Sequence, residues 1–124
     1  MLKKVYQALQ PGGKFIFDVF TSLMRKAESS TWHYKEKGEF YSKEPYICLE
    51  SVYQYDEDST ELSRYIVITE ESVNCYNIWN HFFTKEMLIA EMKTAGFNQF
   101  EFYGDVVGKE FSATGETICA VIIK

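Results

Sequence analysis

The sequence predicts an α/β fold, α+β in the proportions of this stretch, in which a three-stranded antiparallel meander interrupts a layered core. Two apolar runs, Lys14–Phe20 and Thr117–Ile123, have the composition of sheet strands. Residues 2–9 and 85–95 carry apolar side chains at helical spacing, and between residues 46 and 83 the period changes to two.

Leu2, Val5, Tyr6 and Leu9 fall on one helical face, and Pro11-Gly12-Gly13 stops the helix. Lys14–Phe20 follows as a nearly continuous apolar run, expected to be covered on both faces. Residues 21–41 show a weak pattern, with a short helix expected around residues 23–27. Tyr46–Tyr55 and residues 61–69 and 73–83 are rich in Val, Ile, Tyr and Phe. Turns at Asp56-Glu57-Asp58-Ser59 and Glu70-Glu71-Ser72 make them an antiparallel meander. Glu50, Gln54, Arg64, Asn74, Asn77 and Asn80 leave too few apolar positions for two buried faces, so one face is expected to be wet or to line a cavity.

Thr84 is placed as an N-cap for Met87, Leu88, Met92 and Ala95, with Gly96 at the position after the helix. A strand at residues 97–103 and the closing strand Thr117–Ile123 complete the order. The helix makes a right-handed crossover from the first strand to 97–103, and the last strand pairs antiparallel between them. The expected organisation is one domain, 1–124, with 42–83 as an inserted lid.

The chain has 124 residues, 46% hydrophobic and 25% charged, with only two prolines, which is the balance of one folded domain. Its 2 Trp, 9 Tyr and 10 Phe concentrate apolar surface in large flat side chains. A formal charge of -5 would repel a phosphate backbone, so no nucleic-acid partner is expected. Residues 36–71 carry a net -7, an acidic run whose adjacent carboxylates suit a solvated face better than a cation loop. Cys48, Cys75 and Cys119 are odd in number and far apart, giving neither a disulfide framework nor a CxxC motif. With no apolar run near 18 residues and no leader pattern, the expectation is a cytoplasmic protein without a membrane partner.

Leu9-Gln10-Pro11-Gly12-Gly13-Lys14-Phe15-Ile16-Phe17-Asp18 resembles the "L-K-P-G-G-x-h-h-h" turn, h being apolar, into the fifth strand of class I S-adenosylmethionine-dependent methyltransferases. Phe83-Thr84-Lys85-Glu86-Met87 with Ala95-Gly96-Phe97 is similar to the helix before that family's sixth strand, and Thr117 to Lys124 to its closing strand. The three motifs cover about two thirds of the chain in the family's order. The resemblance implies the carboxyl-terminal part of a Rossmann-like sheet and a lid over a small-molecule acceptor. It also implies that S-adenosylmethionine, the family's cofactor, is held by an earlier half. Gly12, Gly13, Gly38, Gly96, Gly104, Gly108 and Gly115 form no glycine-rich turn between a strand and a helix, so no cofactor-binding residue is expected here. The expected enzyme therefore lacks that half through truncation, and this chain alone is expected neither to bind the cofactor nor to catalyse.

Substrate-side candidates are Asp18 and Thr21, at the carboxyl end of the first strand, and Trp79 and His81, on one face of the third meander strand with Cys75 and Asn77. A hydrogen-bonded structural histidine is the commoner role for His81, and likewise for His33 beside Trp32. The two histidines, 48 positions apart, give no zinc pattern, and no serine lies in a G-x-S-x-G elbow. A reading of a different class is a binding or assembly module, a homo-oligomer formed through the strand edge at Lys14–Phe20. A free-standing small-ligand domain is the third.

Overall fold

The computed structural model describes residues 1–55, 57 and 59–124. The chain forms two compact units: Met1–Arg25 with Phe82–Lys124, and Lys26–His81. The second unit starts well before residue 42, for a reason that lies in its sheet.

The first unit holds α1 (Leu2–Ala8), β1 (Lys14–Phe20), α2 (Lys85–Ala95), β6 (Gln99–Tyr103) and β7 (Thr117–Ile123). The second holds β2 (Ser29–Lys35), β3 (Tyr46–Tyr55), β4 (Thr60–Ile68) and β5 (Val73–His81).

In the first unit the sheet order is β1-β7-β6, with β7 antiparallel to both neighbours, as the connection rules require. Phe15, Phe17 and Val19 lie opposite Ile122, Ala120 and Ile118, and this face packs on Leu2, Leu88 and Met92 of the helices. Thr84 caps α2 by accepting the Met87 N–H at 3.2 Å. Gly96 ends it in the left-handed region at φ 108°, with its N–H to Lys93 O and the Phe97 N–H to Met92 O, both at 3.0 Å. Phe97 then enters the core and meets the Tyr6 ring edge-on at 5.0 Å.

The expectation that β1 is covered on both faces is corrected. Its burial alternates, and Ile16 and Phe20 on the side away from the helices are 56% and 48% exposed. A single helical layer covers one face of a strand, and side chains of alternate parity point the other way. The central β7 keeps Cys119 buried on that second face because β1 and β6 flank it.

The three-stranded meander is also corrected. The second unit is a four-stranded antiparallel sheet ordered β2-β3-β4-β5, so residues 29–35 form a strand where a weak pattern was expected. The helix expected at residues 23–27 is a single 3-10 turn, Ser22–Met24. At the β4–β5 turn the Thr69 N–H donates to Ser72 O at 2.9 Å, while Thr69 Oγ1 accepts the Ser72 N–H at 3.0 Å. Asp56 and Asp58 of the other expected turn lie outside the described residues.

Register assigns the faces of this sheet. Tyr46, Cys48, Val52, Glu61, Ser63 and Val67 share one face and are all buried. Tyr41 closes that face, with its ring 5.4 Å from those of Tyr65 and Tyr76. Glu61, 1% exposed, is held there by three donors: the Lys26 N–H at 2.7 Å, the Ser63 hydroxyl at 3.3 Å and the Asn80 amide at 3.4 Å. A buried carboxylate needs that density of donors to offset its lost hydration. One face is open to solvent, as expected. It is the more apolar one, whereas Glu50, Gln54, Asn74 and Asn80 lie on the other.

Candidate functional site

Open α/β sheets bind ligands beyond the carboxyl ends of their strands, and the first unit has a cavity there, with a volume of about 390 Å³. The chain leaves β1 at Phe20, whose carbonyl accepts the Phe83 N–H at 2.9 Å, so the strand end and the start of α2 are tied together. Thr21 fixes the next step. Its N–H donates to Glu116 O at 2.9 Å, its hydroxyl donates to Gly115 O at 2.8 Å, and Oγ1 accepts the Leu23 N–H at 3.3 Å. These bonds place the 3-10 turn, the α2 N-terminus and the loop before β7 around one space.

Leu23, Phe83, Phe111 and Ile118 give the cavity apolar walls, and Ser22, Ser112 and Thr114 add hydroxyls. Lys85 and Glu86 bring the charges. The Lys85 ammonium lies over the rings of Phe102 and Phe111, 4.9 and 4.6 Å from their centroids, a position that holds the cation against the ring faces. Glu86 is held ionised below the usual carboxylate range, chiefly by its own backbone N–H and then by the Thr84 hydroxyl. The Met87 and Glu86 N–H groups of the helix start are thus taken by the Thr84 hydroxyl and the Glu86 carboxylate. Apolar walls with a few hydroxyls and one fixed charge of each sign can bind and orient a small organic molecule. Among the described residues no group of His, Cys, Asp and Glu could hold a metal ion.

Of the four candidates read from the sequence, Thr21 lines the cavity, with its hydroxyl committed to the backbone. Asp18 does not line it: Asp18 is exposed on the sheet face away from the helices, opposite Cys119. Trp79 and His81 belong to the second unit and share one face of β5. Trp79 is 58% exposed with its ring 5.5 Å from Tyr55, and His81 Nδ1 is 3.2 Å from the Thr60 hydroxyl. His33 lies opposite Cys48 on β2. Burial holds the Cys119 thiol up, with the charges of Asp18 and Asp105 adding to it, so it is a packed thiol rather than a nucleophile.

Sequence reasoning missed Ser22, Phe111, Ser112 and Thr114. The last three come from a loop with no periodicity. Glu86 had a signal, its place two residues after an N-cap.

The glycines are occupied by other tasks than cradling a ligand. Gly12, Gly96 and Gly108 supply positive φ, and a side chain on Gly13, Gly38, Gly104 or Gly115 would meet neighbouring backbone. Among the described residues none lies between a strand end and a helix start, so the residues present do not fit the glycine-rich cradle of an adenosylmethionine site. No helix among them is long and apolar enough to cross a membrane.

The order β1-β7-β6, with α2 as the crossover and an antiparallel unit between β1 and α2 in the sequence, belongs to a fold that is shared with part of solved S-adenosylmethionine-dependent methyltransferases. The solved structures that share it include the CcbJ methyltransferase from Streptomyces caelestis, at TM-score 0.68 and 18% identity over 98% of this chain and 47% of that one. A second is an S-adenosylmethionine-dependent methyltransferase from Clostridium acetobutylicum, at TM-score 0.64 and 15% identity over 98% and 48%. The chain spans about half the length of these structures. No protein-family model matches the sequence, and no curated protein matches it.

Proposed function

We propose that this chain is the carboxyl-terminal portion of an S-adenosylmethionine-dependent methyltransferase with a small-molecule acceptor. In this reading the cavity beyond β1 is the acceptor wall, residues 26–81 serve as the lid, and the cofactor is held by a half that this chain does not carry. One observation supports it above the others: 98% of the chain superposes on methyltransferases of which it covers only 47–48%. Within that reading the chain's own residues bind and orient the acceptor. Leu23, Phe83 and Phe111 exclude water from it, Ser112 and Thr114 offer it hydroxyls, and Lys85 and Glu86 fix the local charge.

Calorimetric titration of S-adenosylmethionine into the isolated chain tests the division of labour. No heat of binding is expected, and micromolar affinity would overturn the assignment of the cofactor to another half. A thermal-shift screen of small polar aromatics, repeated with Phe111→Ala, tests the acceptor wall, with stabilisation expected only in the parent chain.

One observation favours an assembly module as the second reading. β1 is the outer strand, paired only with β7 among the described residues, with Ile16 and Phe20 exposed beside its free edge. Ile16→Lys, which burdens that edge with charge, would dissociate an assembly built on it and leave acceptor binding intact.

A further inference from the structure

In the second unit the face that carries Glu50 and Glu61 is buried at its centre, at Tyr46, Cys48, Val52, Glu61, Ser63 and Val67, while the opposite face buries Leu62 and leaves its aromatic side chains open. Trp32, Tyr34, Ile47, Leu49, Tyr53 and Trp79 lie on the open face by register and are all exposed, the two tryptophans at 65% and 58%. Arg64 is the one formal charge among the strand residues of that face. Its guanidinium lies 5.6 Å from the centre of the Tyr53 ring, and its Nε donates to Asn77 Oδ1 at 3.1 Å. The acidic residues of the unit's strands, Glu50 and Glu61, are on the opposite face, so the chain's negative charge does not oppose contact here. A contiguous apolar surface of this extent is unusual for an isolated soluble chain.

We infer that this face packs against the same face of a second copy of the chain, sheet on sheet about a twofold axis. Area is the first argument. Four strands about 4.8 Å apart and nine residues long at about 3.3 Å each give a footprint of roughly 600 Å² per copy. Side-chain relief carries that footprint towards the roughly 800 Å² per partner of a stable interface, and it already exceeds a casual lattice contact of under about 400 Å² per partner. Electrostatics is the second argument. The face holds one cation, already seated on its own Tyr53 ring, among aromatic rings, so pairing with an identical face sets cation and rings against rings and needs no carboxylate from a different partner. Twisted antiparallel sheets with flat aromatic inner faces pack aligned in this way.

The two tryptophans of the sequence both lie on this face, which makes their fluorescence its reporter. The expected result for the intact chain is a mass of twice 14.5 kDa by analytical ultracentrifugation. Acrylamide quenching of tryptophan should weaken over the same concentration range in which the dimer forms. Leu49→Lys is expected to weaken dimerisation at least tenfold while circular dichroism stays unchanged, and Ile16→Lys to leave it intact. Because Leu49 is exposed, its replacement tests the contact rather than the core. Three results would overturn the inference: a monomer with fully quenchable tryptophans at several hundred micromolar, a monomer in which a small molecule alone protects them, or a dimer abolished by Ile16→Lys and kept by Leu49→Lys. Should Leu49→Lys fail to fold, the quenching titration of the parent chain decides alone.

Discussion

The ring of Tyr6 occupies the space that a side chain on Gly96 would need: a β-carbon there would lie 3.2 Å from Tyr6 Cζ. Gly96 also sits at φ 108°, where an L side chain costs about 1–2 kcal/mol. Gly12, at φ 78°, has nothing within 4 Å. Gly96→Ala is therefore expected to lower stability by more than Gly12→Ala, which bears the conformational cost alone. Urea midpoints at unchanged m-value measure the difference. Equal losses would mean that the ring yields freely.

Glu61→Ala removes the acceptor shared by the Lys26 N–H, the Ser63 hydroxyl and the Asn80 amide. A buried donor left unpaired costs about 1–3 kcal/mol, so a loss of at least that size is expected. Glu61→Gln, which keeps the shape and one acceptor oxygen, should recover part of it. Equilibrium denaturation of both variants checks the order.

Acid should weaken the first unit through two carboxylates. Asp105 is held below its ordinary range first by the Lys109 backbone N–H, then by those of Val107 and Gly108, and Glu86 is lowered as described above. A depressed folded value means that the stabilisation is complete above the ordinary values of 3.8 and 4.5, and is lost as pH falls through the folded ones. Asp105→Asn and Glu86→Gln should each flatten the decline of the urea midpoint below about pH 4.5. Both groups are exposed, so the effect is small, and a parent midpoint independent of pH down to pH 3 would contradict it.

Thiol titration should find one fast cysteine of three. Cys75 is exposed, whereas Cys48 and Cys119 are buried, and burial pushes both of those thiols up, with Glu50 adding to Cys48. Ellman's reagent at pH 8, at chain concentrations below those at which the aromatic faces pair, is expected to modify one thiol per native chain and all three in denaturant. Two fast thiols in the native chain would show that one of the buried pair is accessible.

The layered core was legible because its signals are local. Pro11-Gly12-Gly13 before an apolar run, and Thr84 twelve residues ahead of Gly96, mark a strand entry and both ends of a helix without tertiary information. β2 was not legible: Ser-Ser-Thr-Trp-His-Tyr-Lys has only Trp32 and Tyr34 to show a period of two, and as an edge strand with an open face it buries almost nothing. The one-sided burial of β1 was hidden as well, since an apolar run does not say how many layers will cover it. In the cavity, Thr21 could be placed from its position after a strand, but Phe111, Ser112 and Thr114 reach it through a loop whose path only the folded chain defines.

The first unit is stitched from opposite ends of the polypeptide, with Lys14 facing Ile123, the Lys124 ammonium on Leu9 O at 2.6 Å and the Lys124 N–H on Gly13 O at 3.1 Å. Every pair in the β1–β7 ladder closes a loop of nearly the whole chain, which costs entropy before any contact offsets it. The ladder from β2 to β5 joins only consecutive strands through short connections. Folding is therefore expected to start in the middle of the sequence. The sheet of residues 26–81 forms early and shortens the effective distance between the termini, and the ladder that draws the two ends together sets the overall rate.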